Sequence, residues 1–193
     1  MFRWLALVVL VSAVSISGFH RRRARSRSGA IPRAREEPLL IAGRLLVALP
    51  LFGGSLLYVL NPAWMAWSAF DAPQWLRWVG AALGVCVMPS VHWVLSALGS
   101  NVSETVLTKD RHELVTNAGP YRWIRHPLYT TGVALFVALG LMAANWFILG
   151  MASSALIAIR TVVVPREEHE LVARFGSSYE EYRRRTGAMA PRM

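Results

Sequence analysis

The chain alternates between long apolar stretches and short polar segments. Five apolar stretches cover about residues 2–19, 39–60, 75–98, 128–144 and 146–164. Each is close to the ~20 residues that a membrane-spanning helix requires. Only Asn145 separates the fourth stretch from the fifth, so these two predict a tight helical hairpin. The pattern therefore predicts an all-α, integral-membrane bundle of about five transmembrane helices.

Composition supports this prediction and excludes several other classes of protein. Hydrophobic residues make up 54% of the 193 residues, and charged residues only 17%, whereas soluble domains carry about 25% charged residues. This balance excludes an ordinary soluble domain and a disordered chain. A single cysteine, Cys86, excludes an internal disulfide framework and a cysteine-based metal centre. We expect no metal site.

The basic residues are concentrated on one side of the predicted membrane. Seventeen of the 21 arginines and lysines fall in segments 20–37, 99–127 and 165–193, and none falls in the loop 61–74. Basic loops stay in the cytoplasm. The distribution predicts an N-terminus outside and a C-terminus in the cytoplasm, across the cytoplasmic membrane if the source is bacterial.

An arginine-rich run at 20–27 also invites a nucleic-acid interpretation. No aromatic residue lies between its arginines, and the predicted topology already accounts for its charge. We expect contact with anionic membrane lipids and no nucleic-acid partner. Arg44 lies near the cytoplasmic end of the second stretch, where its guanidinium can snorkel to the interface.

The polar segment before the fourth stretch contains candidate functional residues. Gly119 and Pro120 predict a turn, and Pro127 suits the first position of a helix. Arg125 and His126 then lie at a helix N-terminus, which favours an anion, and Tyr129 lies on the first helical turn. A capped helix entrance with an interfacial Arg and Tyr is the simpler alternative.

The segment after the fifth stretch predicts an amphipathic helical hairpin. Leu171, Phe175, Tyr179 and Tyr182 share one helical face across a break at Gly176. Ser178 and Glu181 fit a capping box that starts the second helix. This hairpin is expected to cap the cytoplasmic ends of the spans.

The predicted hairpin of spans brings these two segments to one membrane–water boundary. His126, Tyr129, Arg160 and Glu167 should converge there. Glu167 and Glu168 begin the C-terminal hairpin, where complementing the helix dipole is the alternative role. Arg160 lies about one turn inside the fifth stretch, so a functional role and snorkelling are both open.

At these residues the sequence resembles the isoprenylcysteine carboxyl methyltransferase family, and more distantly the phospholipid methyltransferases. The matching pieces are Leu-Gly-Ser-Asn at 98–101, Leu-Val-Thr at 114–116, Gly-Pro-Tyr at 119–121, Arg-His-Pro-Leu-Tyr at 125–129 and Glu-Glu-x-x-Leu-x-x-x-Phe-Gly-x-x-Tyr-x-x-Tyr at 167–182. The resemblance covers about residues 98–186, and the order of the pieces makes it specific.

The resemblance implies a membrane-embedded methyltransferase that binds S-adenosylmethionine at the cytoplasmic face. It implies cofactor contacts at His112, Glu113, Leu114, Val115, Tyr121, Arg125, His126, Pro127, Leu128, Tyr129, Glu167 and Glu168. The acceptor would be lipophilic or lipidated and would enter from the bilayer, most simply as a prenylcysteine carboxylate. Phospholipids, small thiols and amines are the alternative acceptors.

One position departs from the pattern of the resembled family. Prenylcysteine-specific members carry an arginine four residues before the cofactor-binding glutamate, and Val163 stands there in this chain. Arg160, one turn earlier, is the expected substitute that holds a carboxylate. An amine or thiol acceptor would instead need a base, for which His126 and Glu168 are the nearest candidates.

Two hypotheses of other classes stay open at this point. A sterol-reductase-like oxidoreductase would bind NADPH, and a non-enzymatic membrane protein would bind neither cofactor. In the methyltransferase interpretation, residues 1–98 form three N-terminal spans with a basic cytoplasmic loop at 20–37. Residues 99–193 then form the methyltransferase core, made of a cytoplasmic loop, the hairpin 128–164 and a C-terminal cap.

Overall fold

A computed structural model describes residues 1–28, 38–99 and 114–192 as an all-helical bundle. Seven α-helices follow in chain order: α1 (Phe2–Ser28), α2 (Pro38–Leu60), α3 (Gln74–Leu98), α4 (Pro127–Ala143), α5 (Trp146–Ala158), α6 (Val164–Phe175) and α7 (Ser177–Arg185). Two 3₁₀ helices cover Pro62–Ser68 and Gly119–Arg122, and a π-helical turn covers Ile159–Val163. The predicted fold class is confirmed.

Four continuous helices in the described residues are long and apolar enough to cross a membrane. They are Phe2–Ser26, Ile41–Leu60, Gln74–Leu98 and Trp146–Phe175. The fourth predicted stretch forms α4, an apolar helix of 17 residues. At 1.5 Å per residue its length is about 25 Å, slightly less than the hydrocarbon core of a bilayer.

The first predicted stretch was too short. Helix α1 continues past Phe19 through the arginine-rich run and ends at Ser28, so the N-terminal part of the predicted loop 20–37 is helical. Arginine and alanine are strong helix formers, and no proline interrupts this run. The remainder of that loop, residues 29–37, lies outside the described residues.

Helices α3 and α4 pack closely enough to require glycine between them. A Cβ built on Gly80 would lie 2.7 Å from the Cβ of Leu141 and 2.8 Å from the backbone nitrogen of Met142. The buried core between these helices and α1 includes Ala6, Val9 and Leu139. This close approach fixes the orientation of α4, whose N-terminus bears the candidate site.

A buried asparagine forms the predicted tight turn between α4 and α5. Ala144 adopts a positive φ of 50°, and the Asn145 side chain accepts a hydrogen bond from the Ile148 nitrogen at 3.0 Å. Its amide donates to the Ser68 hydroxyl at 2.7 Å. Asn145 thus caps α5 and attaches the turn to the 3₁₀ helix Pro62–Ser68.

Helix α5 leads into α6 without a break in the helical path. The π-helical turn Ile159–Val163 joins them, directly before Pro165, which has no backbone N–H for regular α-helical pairing. The C-terminal hairpin follows as predicted, with Gly176 at a positive φ of 53°. The predicted capping box is wrong, because α7 begins at Ser177 after Gly176 and no side chain caps it.

Candidate active site

His126 lies where the chain enters α4. Pro127 occupies the first helical turn, as predicted, and His126 directly precedes the helix. The His126 side chain is only 4% exposed. Its position between the membrane helices and the C-terminal hairpin brings it into contact with α6.

Two adjacent glutamates of α6 contact the two nitrogens of the His126 ring. Nδ1 lies 3.5 Å from Oε2 of Glu167, and Nε2 lies 3.3 Å from Oε1 of Glu168. Tyr129 stacks on the same ring with centroids 5.8 Å apart, and its hydroxyl donates to Oε2 of Glu167 at 3.0 Å. The structure therefore brings together His126, Tyr129, Glu167 and Glu168.

The carboxylates favour the protonated form of the histidine. Burial by itself lowers the pKa of His126, but hydrogen bonds to Glu167 and Glu168 outweigh burial and raise the pKa above its ordinary value. Arg125 also pairs with Glu168, so one imidazolium and one guanidinium balance the two carboxylates.

Glu167 is the most exposed of the charged side chains around His126. Its side chain is 27% exposed, compared with 13% for Glu168 and 10% for Arg125. A carboxylate that retains contact with solvent can accept further hydrogen bonds from a ligand. Glu167 is therefore the carboxylate of the cluster that a ligand from solvent reaches most easily.

Arg125 is directed at the protein interior. Its Nε donates to Oε1 of Glu168 at 2.7 Å, and its Nη1 donates to the carbonyl of Arg183 at 3.1 Å and to that of Thr186. These contacts join the entrance of α4 to the start of α6 and the end of α7. In this arrangement Arg125 positions Glu168.

The C-terminal tail pairs with the backbone before α4, a feature that sequence reasoning missed. The nitrogens of Arg125 and His126 donate to the carbonyls of Gly187 and Ala188, both at 2.9 Å. The Thr130 hydroxyl donates to the Met189 carbonyl at 2.8 Å. Backbone donors expected to face an anion at this helix N-terminus are thus bonded to the tail.

Tyr121 joins the loop before α4 to the C-terminal hairpin. Its carbonyl accepts a 2.6 Å hydrogen bond from the Tyr182 hydroxyl, and its own side chain is 7% exposed. Burial and, next, the charge of Glu167 raise the pKa of Tyr121. The ring therefore lies near Glu167 as a neutral, aromatic surface.

The apolar candidates have mainly packing contacts. Leu114 packs against the cluster of Leu171, Tyr179 and Tyr182, which confirms the predicted apolar face of the hairpin. Leu128 packs against the main core, Pro127 is buried and Val115 is half-buried. His112 and Glu113 lie outside the described residues.

The two arginines of the apolar stretches differ from expectation. Arg160 lies in the π-helical turn and is exposed, and among the described residues no hydrogen bond or ion pair to its side chain is present. Arg44, expected only to snorkel, is half-buried, and its positive charge acts on the Tyr129 phenol. Arg44 is therefore a second candidate, beside Arg160, for a cation near the site.

This polar cluster lies where the apolar helices meet the amphipathic C-terminal hairpin. Comparison with known proteins specifies the class. The model of the isoprenylcysteine carboxyl methyltransferase (ICMT) family matches residues 78–173, which include the loop before α4, the α4–α5 hairpin and both glutamates. The chain belongs to this family and is an integral membrane protein.

Individual relatives agree with this assignment. The protein-S-isoprenylcysteine O-methyltransferase of Dictyostelium discoideum is 30% identical over 152 residues, which are 72% of this chain and 60% of that relative. Methanethiol S-methyltransferase 2 of Bradyrhizobium diazoefficiens is 36% identical over 73 residues, which are 38% of this chain and 27% of that relative. The chain thus spans less than two thirds of the length of either curated relative.

A solved structure shows the same fold. The structure of the eukaryotic intramembrane Ras methyltransferase ICMT superposes with a TM-score of 0.55 at 19% sequence identity, covering 97% of this chain and 67% of that chain. The likeness therefore extends beyond the segment that the family model matches and includes the N-terminal helices.

Proposed function

We propose that this protein is a membrane methyltransferase that moves a methyl group from S-adenosylmethionine to a lipophilic acceptor. The observation that carries the proposal is the cluster in which Glu167 and Glu168 both contact His126 and Tyr129 contacts Glu167. It lies within the segment that matches the family model. The proposed methyltransferase core is residues 99–193, and the three spans before it complete the helical bundle.

The donor set fits such a cofactor. Glu167 offers a partly exposed carboxylate to an ammonium group or to ribose hydroxyls. Tyr121 supplies an aromatic ring beside it, and the loop from His112 to Val115 is the proposed site of further contacts. Leu128 and Pro127 would line the apolar side.

Each polar side chain has a distinct role in this proposal. Tyr129 donates to Glu167 and holds its carboxylate in one orientation. Arg125 holds Glu168, and Glu168 in turn holds the buried His126 ring. When bound, S-adenosylmethionine would supply a sulfonium methyl group, whose carbon an acceptor atom would attack in line while S-adenosylhomocysteine leaves. The chain contributes through positioning and exclusion of water.

The most economical acceptor is the carboxylate of a prenylcysteine-like molecule. Its oxygen forms the new bond to the methyl carbon while the sulfur–carbon bond breaks, and an ionised carboxylate releases no proton. A cation must hold that carboxylate at the boundary, and Arg44 and Arg160 are the candidates. The name of the Bradyrhizobium relative favours a small thiol as the second candidate acceptor. Glu168 would then be the base, because the carboxylates favour the protonated form of His126.

The proposed topology places this chemistry at the cytoplasmic face. The basic segments at 99–127 and 165–193 flank the cluster, so the cofactor would arrive from the cytosol. The acceptor would enter from the bilayer between the apolar helices.

Transfer of a labelled methyl group tests the proposal. Purified protein in lipid nanodiscs is incubated with methyl-labelled S-adenosylmethionine and, separately, a farnesylated cysteine analogue, a phospholipid and methanethiol. We expect labelled methyl ester from the first, at a rate reduced at least ten-fold in Glu167→Gln. Labelled dimethyl sulfide alone would assign the thiol, because it is the product of methylating methanethiol, and no labelled product from any acceptor would contradict methyl transfer.

A further inference from the structure

A second polar site lies at the opposite end of α4 from His126. It is a cavity of about 470 Å³. The start of α1, the end of α2, the 3₁₀ helix Pro62–Ser68, the start of α3 and the end of α4 surround it. Met142, beside this cavity, is 16 residues from His126, which corresponds to about 24 Å along the helix. The cavity is therefore separate from the proposed cofactor site.

The cavity combines an apolar lining with two guanidinium groups. Phe2, Met65, Ala66 and Ala69 provide apolar surface, and Arg3 and Arg77 provide the charges. In the described part of the chain neither arginine has a carboxylate at ion-pair distance. Two like charges in a partly enclosed, apolar site repel each other, and an anion between them removes that repulsion.

Arg77 is held in a fixed position. Its Nε donates to the Met142 carbonyl at 2.9 Å, and its Nη2 donates to the Tyr58 hydroxyl at 3.3 Å. The guanidinium carbon lies 4.3 Å above the Phe2 ring. Within the described residues Nη1 makes no hydrogen bond, so this group remains able to donate to a ligand.

Arg3 has hydrogen-bonding capacity that the described residues leave unused. Its Nε is buried and has no hydrogen-bond partner there, although a buried donor without a partner is costly. The guanidinium carbon lies 4.4 Å from the centroid of the Trp4 ring. Planar guanidinium groups match phosphate oxygens by paired hydrogen bonds.

We propose that this cavity binds a phosphate group, and that its source is the headgroup of an anionic phospholipid. Exposed apolar side chains surround the site, with Trp4 57%, Leu60 54% and Trp64 56% exposed. Tryptophans at such positions mark the membrane interface. A lipid places its phosphate at this depth and its acyl chains along the exposed apolar side chains of α1 and α2.

Lipid retention and thermal unfolding test the site. Wild type, Arg3→Gln and Arg77→Gln are purified in detergent, with Arg184→Gln as the control, because Arg184 is an exposed arginine of α7 that does not line the cavity. Each is given phosphatidylglycerol, phosphatidylcholine or inorganic phosphate. Native mass spectrometry counts the lipids retained, and thermal unfolding measures stabilisation.

We expect phosphatidylglycerol to be retained and to stabilise wild type and Arg184→Gln. Retention should fall about ten-fold in Arg3→Gln, for the loss of charge-assisted hydrogen bonds. Arg3→Gln is the decisive variant, because the Arg3 side chain makes no hydrogen bond within the described residues. Equal retention in Arg3→Gln and Arg184→Gln, or no preference over phosphatidylcholine, would overturn the proposal. Equal stabilisation by inorganic phosphate would overturn the lipid source.

Discussion

The Nε atom of Arg125 lies 2.7 Å from the carboxylate of Glu168, across 43 residues of sequence. This contact joins the loop before α4 to the N-terminal part of α6. Because Glu168 also contacts His126, a change at any one of the three side chains affects the other two. The proposed cofactor site therefore depends on the docking of α6.

The His126 contacts predict a pH-dependent contribution to stability. The pKa of His126 is raised in the folded protein above an unfolded value of about 6.5. The stabilisation is therefore fully present below pH ~6.5 and is lost as the pH rises through the folded-state pKa.

Thermal unfolding of wild type and His126→Gln at pH 6 and pH 9 checks this. We expect wild type to be the more stable by a larger margin at pH 6. His169→Gln, an exposed histidine of the same helix as the two glutamates, is the control and should show no such change. An equal margin at both pH values would show that the His126 charge does not contribute.

The two boundary arginines make separable predictions for the acceptor. Arg44 acts on Tyr129, whereas Arg160 is exposed in the π-helical turn. Loss of the cation that holds a carboxylate should cost about 2–3 kcal/mol of transition-state stabilisation, with S-adenosylmethionine affinity near wild type.

Steady-state rates of Arg44→Gln and Arg160→Gln with the farnesylated cysteine analogue identify the residue. We expect the larger loss in Arg44→Gln, because Arg44 is half-buried and Arg160 is exposed. If both variants turn over the acceptor at the wild-type rate, neither arginine holds it. A collapse of cofactor affinity in either variant would move that arginine to the cofactor site.

Two tyrosines of α7 differ in the hydrogen bonding of their hydroxyl groups, so their phenylalanine variants should differ in the free energy of unfolding. Tyr182 donates a 2.6 Å hydrogen bond to the Tyr121 carbonyl, whereas the buried Tyr179 hydroxyl has no partner among the described residues. Tyr182→Phe should destabilise the protein by about 0.5–1.5 kcal/mol, and Tyr179→Phe should be neutral or stabilising. Denaturant unfolding in detergent measures both, and the reverse order would contradict the docking of α7 on the loop.

Much of the fold follows from hydropathy, because spans, turn and cap each leave a local pattern. The apolar stretches predicted the positions of the helices, and Asn145 between two of them predicted the α4–α5 turn. Local pattern also predicted the meeting of His126, Tyr129 and Glu167, since a hairpin with one-residue spacing returns its ends to the same side. Arg160 was part of the same prediction, but within the described residues it is exposed and makes no hydrogen bond or ion pair with the other three.

Features that depend on distant backbone pairing leave no such pattern. The tail at Gly187 and Ala188 bonds through carbonyl oxygens, which any residue possesses. The approach of Arg44 to Tyr129 depends on how α2 is placed against α4, and periodicity does not specify that placement. The capping-box prediction failed because the N-cap of α7 is Gly176, which has no side chain, and Ser178 already lies inside the helix.

Topology is tested by reporter fusions after residues 30, 68, 110 and 193. The basic-residue distribution predicts cytoplasmic signals at 30, 110 and 193 and an outside signal at 68. A cytoplasmic signal at 68 would contradict the proposed orientation and with it the cytosolic route to the cofactor site.

The most direct test of the central claim is the binding of S-adenosylmethionine to purified protein, measured by calorimetry beside NADPH. We predict that wild type binds S-adenosylmethionine and not NADPH, and that Glu167→Gln and His126→Ala each weaken binding ten-fold or more. Glu168→Gln should weaken it less, because Glu168 acts through Arg125 and His126, and Arg22→Gln should not change it. Binding of NADPH in place of S-adenosylmethionine, or unchanged affinity in folded Glu167→Gln and His126→Ala, would contradict the account.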